Sequence, residues 1–145
     1  MAKTYRLTRG RRLVNTLMRG LLRLGLASKT TYLLTVKGRR TGTPRSTPVI
    51  LQEDGGQRWL VSPYGDVGWV RNARAAGRVT LSRGRQSETF GIAELDANEA
   101  APVLKRYVAS VPITRPFFDA KPDAPLQAFI AEASGHPVFK LLGPA

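Results

Sequence analysis

The sequence predicts an α+β fold in which an antiparallel barrel carries helices inserted between its strands. Three observations lead there. Short apolar runs of strand length alternate with tight, glycine-bearing turns, as at residues 54–56 and 83–85. Helical patterns interrupt the strands only in places, so most strands are joined directly, as antiparallel strands are. No Gly-x-Gly-x-x-Gly follows a strand, so the dinucleotide signature of a parallel sheet is missing. The chain has 145 residues, the size of one domain spanning 1–145 and enough to bury a core.

Residues 1–10 are basic and read as a tail. Residues 11–27 follow a helical period, with Leu13, Leu17, Leu21 and Leu24 on one side and Arg12, Arg19 and Arg23 on the other. Packing of those leucines over the barrel is the preferred reading, and a helix lying on an anionic bilayer is the alternative. Apolar runs at 32–36 and 49–51 read as strands flanking a basic turn. After the turn at Asp54-Gly55-Gly56, a third strand covers 58–62. A short helix over 69–76 is stopped by Gly77. Strands follow at 78–82 and 88–95, joined by Arg83-Gly84-Arg85. Asp96 as N-cap with Glu99 three residues on opens a helix reaching about residue 111, which Pro112 ends. Residues 112–125 read as a structured loop holding Phe117 and Phe118, before a helix at 126–133 and a last strand at 138–142.

Composition removes several kinds of chemistry. There is no cysteine, hence no disulfide, thiolate nucleophile or cysteine-held metal. The single histidine, His136, cannot form a histidine metal cluster, and no Glu-x-x-His or Asp-x-Asp pattern accompanies it. No Gly-x-Ser-x-Gly elbow is present. A chain so poor in catalytic side chains suits one whose bound cofactor carries the reaction. The formal charge of +13 attracts nucleic acid, anionic membrane or polyanionic ligands without choosing among them. No apolar run reaches the ~18 residues of a membrane span, and Arg19 and Arg23 interrupt the only apolar stretch that could serve as a signal peptide. The expected compartment is the cytoplasm, with the inner face of the plasma membrane as the alternative.

The densest functional signal is residues 38–48, Gly38-Arg39-Arg40-Thr41-Gly42-Thr43-Pro44-Arg45-Ser46-Thr47-Pro48. Two glycines allow a tight turn, and three guanidinium groups beside hydroxyls suit a phosphate or carboxylate. A solvated basic hairpin loop is the competing reading of that composition. Downstream come Trp69 and Asn72 in a Trp-x-x-Asn spacing, and a closing His136-Pro137-Val138-Phe139-Lys140-Leu141. Taken in order, these elements resemble the deazaflavin-dependent nitroreductase family, F420H2-dependent oxidoreductases built on a split β-barrel. Residues 38–48 match its G-R-[RK]-[ST]-G-x-x-R-x-x-P element, and the likeness covers residues 30 to 142.

The resemblance implies a cofactor site. Arg39, Arg40, Thr41 and Arg45, with Ser46 and Thr47, would hold the acidic tail of coenzyme F420, while Pro48, Val49 and Ile50 would wall its ring. Val61, Ser62, Pro63 and Tyr64 would face the deazaflavin, and Trp69, Val70, Arg71 and Asn72 would complete the site. Many members have a lysine near Tyr64, whose charge Arg71 or Arg74 would then supply. Thr114 and Phe117 stand where nitroimidazole-activating members carry tyrosines, and with Phe118 they would meet the substrate. No side chain is assigned a catalytic role, and no metal is expected.

The implied activity is hydride transfer from reduced F420 to a small-molecule electron acceptor such as a quinone, an enone or a nitro compound. FMN is the alternative cofactor, because it occupies related split barrels. A flavin- or deazaflavin-binding protein without turnover is the alternative function, and a basic nucleic-acid-binding protein the third. Against the third, no helix-turn-helix signature occurs and the aromatics are not interleaved with arginine along a strand face. A monomer or homodimer is expected.

Overall fold

A computed structural model describes residues 30–144. The tail over 1–10 and the helix expected over 11–27 lie outside the described residues. Six strands, β1 Thr31–Lys37, β2 Pro44–Asp54, β3 Gln57–Val61, β4 Arg78–Arg83, β5 Gln86–Glu94 and β6 Val138–Pro144, close into a barrel in the order β1-β2-β3-β6-β5-β4. Every neighbouring pair is antiparallel. Helix α1, Gly68–Ala76, lies between β3 and β4, and α2, Ala97–Ser110, and α3, Leu126–Glu132, lie between β5 and β6.

The period-two alternation of the strands divides the apolar side chains between two cores. Leu34, Val36, Leu60, Val79, Phe90 and Phe139 fill the barrel, with Val70 and Ala73 of α1 packed into it. Trp59, Val61 and Val138 face outward instead, under Leu104, Val108 and Phe129 of α2 and α3. Phe129, Leu34, Leu60 and Leu104 are fully buried, and each such side chain contributes about 1.5–3 kcal/mol through burial.

Strand β2 begins earlier than the sequence suggests, inside the basic segment. Val36 pairs with Arg45 and Thr35 with Ser46, and the hydroxyls of Thr35 and Ser46 hydrogen-bond at 2.8 Å. Only Leu51–Asp54 of β2 pairs with β3, which leaves the first half of the strand open on that edge. Pro48, which has no N–H to give to a ladder, sits in this open half. The open edge is the split in the barrel, and it locates the site described below.

Asp96 caps α2 as expected, its Oδ1 accepting from the Glu99 amide at 2.8 Å. The loop expected after Pro112 contains a 3-10 helix, Pro112–Phe117; prolines at 112 and 116 stop an α-helix from continuing but tolerate this tighter turn. Among the described residues, no helix is long and apolar enough to cross a membrane.

Candidate functional site

A cavity of about 710 Å³ opens along the free edge of β2, bounded by the start of α1, the end of β3, the last turn of α2 and the 3-10 helix. Its volume falls in the range of small-molecule sites, about 300–1,000 Å³.

One end is the basic turn. The Gly38 amide donates to the Thr43 carbonyl and the Gly42 amide to the Gly38 carbonyl, both at 2.9 Å. A Cβ at Gly38 would lie 2.8 Å from the Thr43 carbonyl oxygen, and Gly42 has φ 75°, so both positions require glycine. The closed turn presents Arg39, Arg40 and Thr41, all exposed, at the cavity. Arg45 follows on β2, also exposed and also on the wall.

Asn72 joins α1 to this turn. Its side chain is buried, and its Oδ1 accepts from the Arg39 amide at 3.1 Å and from Arg39 Nη1 at 2.8 Å. The Trp-x-x-Asn element thus orients the arginine-rich element, a link between residues 33 positions apart. Among the described residues, ion pairs join Arg71 to Asp66, Arg74 to Asp66 and Glu94, and Arg106 to Asp54. None of them uses the arginines of the turn. Gly68 and Trp69, at the N-terminal end of α1, also line the cavity, where the helix dipole favours negative charge.

Apolar surface from Pro48, Val49, Ile50, Val61 and Trp69 forms the middle of the wall, with Ser46 and Thr47 beside it. The far end carries Pro63, Tyr64, Tyr107, Val111, Ile113 and Thr114. Tyr64 is 36% and Ile113 77% exposed, so they form the rim, whereas Tyr107 and Thr114 are buried. The Thr114 hydroxyl donates to the Val111 carbonyl at 2.7 Å. Burial pushes the Tyr107 phenol well above its ordinary range, with the nearby Tyr64 adding to the shift. Tyr107 therefore stays a hydrogen-bond donor at any physiological pH.

Six of the expected residues do not line the cavity. Ser62 is fully buried, its hydroxyl donating to the Gly65 carbonyl at 2.6 Å and its amide to the Pro137 carbonyl at 2.8 Å. It shapes the turn that presents Tyr64. Val70 points into the barrel core because it lies on the inward stripe of α1. Arg71 and Arg74 both pair with Asp66, and Arg74 also with Glu94, and neither lines the cavity. Phe117 packs edge-on against Tyr64 with ring centroids 4.8 Å apart. Phe118 stacks on His136 at 3.9 Å.

His136 is a brace for this end. Its Nδ1–H donates to the Pro63 carbonyl at 2.9 Å, and its Nε2 faces Glu132 at 3.1 Å. Glu132 in turn accepts from the Asp119 and Ala120 amides. Burial pulls the imidazole below its ordinary pKa, against the opposing pull of Pro63 and Glu132. Among the described residues, no group of His, Cys, Asp or Glu could hold a metal ion.

Tyr107 lines the cavity but is not among the residues the sequence singles out. Its only signal was a tyrosine one turn before the helix end, followed by Thr114 in the next segment.

The chain matches the F420H(2)-dependent quinone reductase family over residues 4–119. A comparison with curated proteins finds no match. Among solved structures, a domain-swapped dimer has a TM-score of 0.58 at 19% identity, covering 92% of this chain and 99% of its own. An F420-H2 dependent reductase, FDR-A, has a TM-score of 0.55 at 21% identity, over 79% and 95%. A FAD-binding protein from Mesorhizobium loti has a TM-score of 0.50 at 14% identity, over 94% and 89%. At these identities the likeness to the solved structures is one of fold.

Proposed function

Because this chain belongs to the F420H(2)-dependent quinone reductase family, we propose that it holds coenzyme F420 in the cavity along β2 and reduces a flat, electron-poor acceptor beside Tyr64 and Tyr107. The observation that carries this reading is the pairing of arginines lacking carboxylate partners among the described residues with a contiguous apolar wall. A ligand with one anionic end and one flat aromatic end fits such a cavity. Arg39, Arg40, Thr41 and Arg45 would hold the anionic tail through charge-assisted hydrogen bonds. Pro48, Val49, Ile50 and Trp69 would exclude water from the ring and fix its plane.

The bound deazaflavin supplies a hydride, and the chain supplies position and hydrogen bonds. The Tyr107 phenol, which lines the cavity and which burial keeps protonated, would donate a hydrogen bond to an oxygen of the acceptor. That geometry favours acceptors with a carbonyl or nitro oxygen at one edge, so quinones, enones and nitro compounds are the proposed classes. Ile113 and Tyr64 at the rim would cover the acceptor's apolar edge. The domain-swapped dimer among the fold neighbours supports a homodimer over a monomer.

A second reading, a flavin in the same cavity, is favoured by the FAD-binding fold neighbour. Fluorescence titration with F420 and with FMN separates them. Saturation by F420 at micromolar or lower concentration, with weaker FMN binding, is expected. Equal or tighter FMN binding would overturn the proposal. Oxidation of reduced F420 by a quinone, an enone and a nitroimidazole in parallel then tests the acceptor class.

A further inference from the structure

The end of the cavity proposed for the acceptor is built from wall segments far apart in the chain. One is the turn after β3, where Pro63 and Tyr64 line the cavity; another is the 3-10 helix, with Ile113 and Thr114. They touch where the Tyr64 ring meets Phe117 edge-on, with centroids 4.8 Å apart. Residues 132–137, the junction of α3 and β6, line no part of the cavity, yet they hold both segments.

The junction grips the turn along its length. The Ser62 amide donates to the Pro137 carbonyl at 2.8 Å, and His136 Nδ1–H to the Pro63 carbonyl at 2.9 Å. A Cβ at Gly65 would lie 3.4 Å from the Gly135 carbonyl oxygen, so the two backbones abut there. The His136 contact matters most for Tyr64. The Pro63 carbonyl and the Tyr64 amide belong to one planar peptide unit, so a bond to that carbonyl fixes the plane from which Tyr64 departs. The same imidazole reaches the other segment. Phe118, just beyond the 3-10 helix, stacks on it with centroids 3.9 Å apart. Its Nε2 faces Glu132 at 3.1 Å, and Glu132 accepts from the Asp119 and Ala120 amides. His136 and Phe118 are both buried, so a close-packed ring spaces the two walls. The basic turn and the start of β2 are shaped by other contacts, with β1 and with Asn72.

We propose that His136 is a positioning residue for the acceptor. It sets the distance between Tyr64 and the 3-10 helix, and so how tightly a flat acceptor is held, without acting on the cofactor. The inference deepens the reading of this end as the acceptor site and rests on it.

Calorimetric titration of menadione, a small naphthoquinone, into the full chain saturated with oxidised F420 measures acceptor binding where no hydride can pass. Fluorescence titration measures F420 affinity separately. His136→Ala should weaken menadione binding about fivefold to tenfold, the effect of one lost hydrogen bond, and leave F420 affinity unchanged. His136→Asn, whose amide can still donate to the Pro63 carbonyl, should recover most of the acceptor affinity, although it too loses the ring and should melt lower than wild type. In turnover, the His136→Ala change should appear in the acceptor KM more than in kcat. Should His136→Ala not fold, Phe118→Leu frees one face of the ring while keeping its hydrogen bonds, and should weaken menadione binding alone. Unchanged acceptor affinity in the folded variant, acceptor affinity that follows the melting temperature through both His136 variants, or loss in step with F420 affinity would overturn the positioning role while leaving the cofactor site standing. Wild type that binds F420 but not menadione would remove the acceptor reading, and the positioning role with it. Wild type that does not bind F420 would remove the proposed function itself.

Discussion

At one end of the main cavity, Arg39, Arg40 and Arg45 stand exposed on a turn whose shape comes from two backbone hydrogen bonds and two glycines. At the other end, Tyr107 and Thr114 are buried, held by the packing of α2, the 3-10 helix and the His136 brace. The cationic end needs reach and freedom, because a charged, flexible ligand must be captured from water. The hydroxyl end needs a fixed direction, because a hydrogen bond steers an acceptor only if its donor does not wander. Under the proposed function, affinity falls to the exposed end and orientation to the buried one, and each proposal can be broken separately.

The largest effect is expected at the cationic end. Arg45→Ala should weaken F420 binding by about 1.5–3 kcal/mol, one to two decades, with the melting temperature nearly unchanged. Arg45→Lys should recover only part, since an ammonium lacks the bidentate fork. Wild-type affinity in both variants would show that this arginine is merely solvated.

Asn72→Ala sharpens the comparison by loosening the exposed end from within. It removes the acceptor for two Arg39 hydrogen bonds and should cost about 1–3 kcal/mol of stability, read by thermal melting. Affinity for F420 should fall with it. A stable variant with intact affinity would mean the turn keeps its shape without α1.

At the buried end, Tyr107→Phe should leave F420 affinity and stability almost unchanged and lower kcat about tenfold, the worth of one hydrogen bond of roughly 1–1.5 kcal/mol. A change in cofactor affinity instead of turnover would reverse the assignment of the two ends.

The smallest effect concerns pH. Burial holds the His136 pKa below its ordinary value, so in that interval the unfolded chain binds more protons than the folded one. Stability should be complete above about pH 6.5 and decline as pH falls through the window below it. A His136→Gln variant should show a flatter melting-temperature profile over that window. A wild-type profile that rises on acidification would show that Glu132 and Pro63 outweigh burial.

Much of the architecture was legible because its signals are local. Alternation marked the strands, Asp96 and Glu99 marked the start of α2, and Gly38 and Gly42 marked the turn, each through backbone rules that act within a few residues. The basic segment stood out for the same reason, since its cations are neighbours in the chain. Its division into turn and strand was not legible, because Arg45 and Ser46 join β2 only through their pairing with Val36 and Thr35 on β1.

The sequence by itself determined an antiparallel α+β barrel, a tight arginine-bearing turn and the absence of cysteine and clustered metal ligands. Tertiary structure alone decided that Asn72 would grip Arg39, that Tyr107 would face the cavity while Phe117 and Phe118 stand behind it, and that β1 and β4 would part beyond Thr35. The reason is physical. Turn geometry and side-chain periodicity are properties of adjacent residues, whereas a cavity wall is assembled from distant segments whose relative register only the closed barrel establishes.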